Sequence, residues 1–210
     1  MSSGMHKTRE SLIEAYGQYT SFSTDREHRY NSWQLCYEFF RDHASTERLE
    51  ESALHLMAYL SSWGMYRGSS KLLTDYNYLV HRDAVKIILD GRSDLLDARN
   101  LPHTGALMKL KSELTGYYAG KSISATDTLV TKILLGTTGS VPAYDRYFRA
   151  GAKLLNIRQA FAEKSVSQLT ELWNQFADEF ADLSDNAPPM KVLDCALWQM
   201  GFNDLNPTVR

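Results

Sequence analysis

Cysteine is scarce in this 210-residue chain: Cys36 and Cys195 stand far apart and belong to no CxxC pair. That excludes a zinc ribbon, a thioredoxin-type site and a disulfide scaffold, and it fits a reducing compartment. No apolar run approaches the ~20 residues of a membrane span. The stretch Met1–Arg9 lacks the apolar core of a secretory signal. The expectation is therefore a cytoplasmic protein without a membrane partner. Charge of one sign is also missing, since 23 Lys plus Arg face 25 Asp plus Glu for a formal net charge of −2. Neither a polyanion-binding tail nor a disordered chain matches that balance. HExxH, GxxxxGK[ST], GxSxG and EF-hand patterns are all absent, and the six histidines do not join carboxylates at ligand spacing. Neither a metal nor a cofactor is expected.

What is present is helical periodicity. After Ser165, Val166, Leu169, Leu172, Trp173, Phe176, Ala177 and Phe180 recur at spacings of three and four, opposite Glu171, Asp178, Glu179 and Asp182. Similar stripes run through Trp33–Phe40, Leu49–Leu60, Leu107–Tyr117 and Leu193–Met200. Ser165 with Gln168, and Thr24 with Glu27, read as capping boxes. Strand-like alternation is nearly missing. The pattern predicts an all-α fold of eight or nine helices in one domain over residues 1–210, with residues 1–6 a flexible end.

Chemistry concentrates in the segment 129–148. A helix bearing Lys132 is expected to stop at Gly136, and Pro142 leads to Asp145 at the start of the next helix. An Asp there can cap the helix and stay ionised, and a reversal of this length can return it to Lys132. The pair is then either a cap beside a solvated lysine or a catalytic couple suited to acid–base work. From Lys132 to Arg158 five cations, including Arg146 and Arg149, face one acid, Asp145. Such a stretch can meet phosphates or simply form a solvated face.

A second cluster holds His55, Trp63, Tyr66 and Arg67 beside Gly64 and Gly68, where Arg67 can offer a planar fork to an anion. Tyr144 and Tyr147 can supply stacking surfaces for a base. Asp194 lies in an apolar stripe four residues before Trp198 and needs a partner, Arg67 or Arg146, unless it is a second pocket carboxylate.

The segments TKILLG, VPAYD and VLDCALWQMG, with WGMYRG upstream, resemble a pattern found in a bacterial all-helical family. More loosely, residues 129–201 are similar to the second half of helix-hairpin-helix DNA glycosylases. That resemblance implies base-excision chemistry at Lys132 and Asp145. The glycine-rich hairpin turn of that superfamily is replaced here by Asp127–Thr131. The expected function is a pocket for a nucleotide or nucleic-acid-like ligand. Its alternative is a non-enzymatic interaction module with a protein partner or a second copy, such as an accessory component of a bacterial stress or phage-defence system.

Overall fold

The structure, a computed structural model, describes residues 3–22, 25–181, 183–184 and 187–207. Thr24 and Asp182, singled out above, lie outside them. Ten α-helices occur among the described residues: α1 Ser3–Ser21, α2 Ser32–Asp42, α3 Leu49–Ser62, α4 Lys71–Thr74, α5 Arg82–Gly91, α6 Thr104–Gly120, α7 Asp127–Thr138, α8 Arg146–Leu154, α9 Glu163–Ala181 and α10 Pro189–Leu205. Four short 3-10 turns join them, and no strand is present among the described residues. The fold is all-α, with one or two helices more than the periodicity predicts because α4 is a single turn. Residues 3–6, expected to be flexible, belong to α1. No helix of the described residues is long and apolar enough to cross a membrane.

Helices α7 and α10 form the centre. Residues 129–138 of α7 and 189–199 of α10 are all buried, so over those stretches neither helix keeps a solvated face. Helix α10 lies between α1 and α8, while α7 packs on α2 and α3, and α5 and α6 extend the bundle beyond α3.

The α8–α10 contact is made by backbone. A Cβ on Gly151 would lie 1.9 Å from the Leu197 carbonyl oxygen, and one on Gly201 would lie 1.9 Å from that of Tyr147. Only hydrogen fits at either crossing point.

Helix boundaries correct two sequence expectations. Gly136 does not end α7; it is an interior position against which the Tyr59 ring packs, and the stop is Gly139, in the left-handed region at φ 64°. Helix α9 begins before Ser165, whose hydroxyl reaches back to accept the Ala162 N–H at 3.1 Å. Gln168 instead bonds the preceding turn.

One buried polar cluster is purely internal. His81 is fully buried and holds Tyr66 and Tyr118 hydroxyls at 2.6 Å on its two ring nitrogens. Burial pushes its pKa down to about 4.

Two outcomes follow from these contacts. Gly201→Ala and Gly151→Ala should each lose about 3 kcal/mol or more in urea unfolding. Gly116→Ala, with open space around it in α6, should be neutral or gain up to ~1 kcal/mol. For His81, the unfolded ring protonates near its ordinary ~6.5 and the folded ring near 4. Its contribution is therefore complete above pH 6.5 and falls by about 3 kcal/mol as the pH drops toward 4. His81→Gln should flatten the stability–pH curve in that window.

Candidate functional site

The segment after α7 is held down from two sides. Thr128 Oγ donates to the Tyr144 carbonyl at 2.8 Å, and Thr131 Oγ accepts the Tyr144 N–H at 2.9 Å. From α10, Asp194 Oδ1 accepts the Ala143 N–H at 2.9 Å. These bonds deliver Asp145 to the start of α8, where Oδ1 accepts the N–H groups of Tyr147 and Phe148. Its other oxygen meets Lys132 Nζ at 3.3 Å.

A second pair lies alongside. Lys191 Nζ is 3.1 Å from Asp194 Oδ2, and both side chains are only 7% exposed. Asp194 is thus paired with Lys191, not with Arg67 or Arg146 as expected. Both lysines face aromatic rings, Lys132 at 5.0 Å from Trp63 and Lys191 at 4.9 Å from Trp33 and 5.1 Å from Tyr19. Tyr59, Trp198, Leu135 and Ala143 complete the wall of a chamber of about 10 Å³ between the two pairs. That volume suits a single water.

The environments push the charged groups apart. Burial lowers the Lys132 pKa, against the pull of Asp145 and Asp194. For Lys191 burial is outweighed by the neighbouring Cys195, Tyr19 and Asp194 together, and the amine is held above its ordinary range. Burial raises the Asp194 pKa, opposed by Lys191 and by the Ala143 N–H. One amine is thus made easier to deprotonate and the other harder, a division of the kind found between acid and base partners.

Trp198 also forms part of a surface groove of about 870 Å³ whose other walls include Gln18, Phe22, Tyr30, Phe202 and Asn203. It borders both the groove and the chamber. The Trp33 and Trp63 indoles are anchored, donating to the Leu135 carbonyl at 2.8 Å and to Ser32 Oγ at 3.0 Å. The Trp198 indole N–H has no hydrogen-bond partner among the described residues.

Of the residues singled out by sequence, Lys132, Asp145, Trp63 and Asp194 line the chamber. The others do not. Arg67 is exposed and borders a separate hollow near Ser122. His55 stacks on Phe39, with ring centroids 3.8 Å apart. Tyr144 is a core side chain, its hydroxyl donating to Ser165 Oγ at 2.8 Å. Arg146 is exposed against the Tyr147 ring, and Arg149 faces Asp127 at 3.9 Å. Lys191 was missed, although a lone Lys three residues before Asp194 in an otherwise apolar run implies a buried pair. Among the described residues no cluster of His, Cys, Asp and Glu could hold a metal.

Comparison of the chain with family models, curated proteins and solved structures gives no match.

If the Lys191–Asp194 pair is coupled, Lys191→Met alone should cost about 3–5 kcal/mol by leaving a buried carboxylate uncompensated. Lys191→Met with Asp194→Leu should recover about 1–3 kcal/mol of the summed single losses. Strict additivity in urea unfolding would show that the two charges are not coupled.

Proposed function

We propose that this chain recognises a nucleobase-bearing ligand, a nucleoside or nucleotide, at the chamber around Lys132, Asp145, Lys191 and Asp194. The observation that carries this reading is the meeting of two lysine–carboxylate pairs inside a wall of Tyr19, Trp33, Tyr59, Trp63 and Trp198. A nucleobase has flat faces that stack on such rings and an edge of donors and acceptors that ammonium and carboxylate groups can satisfy. The adjoining groove, about 870 Å³, falls within the size range of small-molecule sites. The base reaches the charged groups when the Trp198 indole turns aside, a movement that breaks no indole hydrogen bond. Lys132, whose amine burial makes easier to deprotonate, is the group suited to act as base or nucleophile, with Asp145 positioned to stabilise positive charge beside it. Cleavage of a glycosidic bond, the chemistry implied by the glycosylase resemblance, is the first reaction to assay.

A thermal-shift panel of nucleobases, nucleosides and nucleotides tests the reading. A true ligand at about 100 times its Kd should stabilise the fold by about 2.7 kcal/mol, a rise of roughly 5–10 °C. Lys132→Met should abolish the rise, and Arg67→Ala, remote from the chamber, should leave it intact. No rise with any compound, or an equal rise in Lys132→Met, would sink the proposal.

A further inference from the structure

The basic stretch noted in the sequence is only partly absorbed by the chamber. Lys132 is buried against Asp145, and Arg149 faces Asp127. Lys153 and Arg158 remain exposed, and the fold brings Lys164 from the first turn of α9 to join them. The three line a surface hollow of about 300 Å³ together with Asn156, Gln159 and Gln168. No carboxylate lines this hollow, and Lys153, Arg158 and Lys164 have no ion pair among the described residues. Glu163, beside Lys164 in the chain, does not line it.

The backbone beneath these cations is fixed. Asn156 takes the left-handed conformation at φ 57°, and Ile157 N–H closes the end of α8 on the Ala152 carbonyl at 2.9 Å. Gln168 reaches across from α9, its Oε1 accepting the Arg158 N–H at 3.0 Å and its Nε2 donating to the Asn156 carbonyl at 3.3 Å. Three like charges therefore border one concavity around a stapled turn, where solvent ions or a bound anion relieve their mutual repulsion. The planar fork of Arg158 matches two phosphate oxygens, and the two ammonium groups supply point charges around the rest.

We propose that this hollow is a phosphate-binding site, formed by Lys153, Arg158 and Lys164 and pre-shaped by Gln168. It is separate from the chamber: Asp145 precedes the first residue of α8 and Lys153 lies in its last turn, roughly 12 Å along the axis at 1.5 Å per residue. The proposal does not depend on what the chamber binds. The phosphate can belong to a small phosphorylated compound or to a single-stranded nucleic-acid backbone, and the two sources separate by experiment.

Pyrophosphate titrated calorimetrically at low salt should bind the wild type, and Lys153→Gln/Arg158→Gln/Lys164→Gln should weaken its Kd by about tenfold or more, a loss of ~1.4 kcal/mol. Lys86→Gln/Lys109→Gln/Lys121→Gln, which removes the same charge from exposed positions elsewhere, should not. A labelled thymidine decanucleotide forms the second arm. Tighter binding than pyrophosphate, with a log–log salt slope of about −2 that the hollow variant loses, assigns the phosphate to a single strand. Weaker binding than pyrophosphate assigns it to a small phosphorylated compound. Absence of pyrophosphate binding, or equal weakening by both triple variants, overturns the proposal.

Discussion

Two ammonium groups and two carboxylates are enclosed in a helical core, and the fold has to hold every one of them against its partner. Each charge loses several kcal/mol of hydration on burial. The compensation is divided unequally. Lys191 and Asp194 both belong to α10, three residues apart, so that pair forms whenever α10 forms. Lys132 and Asp145 are thirteen residues apart across a helix end and a loop, so their contact exists only when α7, the loop and α8 are all in register. The Ala143 N–H bond to Asp194 ties the two pairs together. One carboxylate both neutralises Lys191 and anchors the loop that presents the other carboxylate.

That register is set by the glycine crossing of α8 and α10. Because Gly151 and Gly201 let the two backbones touch, Tyr147 of α8 comes to rest on Trp198 of α10, with ring centroids 5.0 Å apart. A side chain at either glycine would lift α8 and carry Asp145 away from Lys132. The ends of α8 are stabilised in opposite ways. Asp145 caps the N-terminus inside the protein and Lys153 sits in the last turn at the surface, each with the sign that the helix dipole favours. The same dipole logic therefore puts an acid at the chamber and leaves a cation at the phosphate hollow.

The helical class and most apolar faces were legible because burial imposes a period that the residues cannot hide. The Lys132–Asp145 meeting was legible for a similar local reason: a helix, a glycine-containing turn and a capping Asp limit where the chain can go. Arg67 was misplaced because Gly64 and Gly68 are both in the left-handed region, at φ 72° and 57°. They shape the turn after α3, on which Arg67 is exposed and lies against Gly64. Gly136 was misjudged as a stop because a glycine that ends a helix and one that admits a neighbouring ring look alike until Tyr59 is in place. The basic stretch from Lys132 to Arg158 did not survive as one surface, since pairing with Asp145 and Asp127 depends on tertiary neighbours. The hollow required Lys164, which lies beyond it.

The chamber's small size bears on how it can work. A void for one water among five aromatic residues cannot receive a ligand unless a ring moves, and its three indoles differ in what such a movement breaks. Trp33 and Trp63 would each forfeit an indole hydrogen bond, worth about 1 kcal/mol net and more if the partner stayed unsatisfied. Trp198 forfeits none and gains a partner for its N–H wherever solvent or ligand supplies one. What holds it is ring packing, stacked on Phe202 at 5.3 Å and at an angle to Tyr147, Tyr19, Tyr30 and Trp63, interactions that a flat ligand can replace in kind. On the proposed reading, the indole that borders both the groove and the buried charges is one whose displacement a stacking ligand can compensate. On the same reading, a ligand without an aromatic face would displace Trp198 with no such return, so planarity would be selected at the wall, before any polar contact with Lys132 or Asp194.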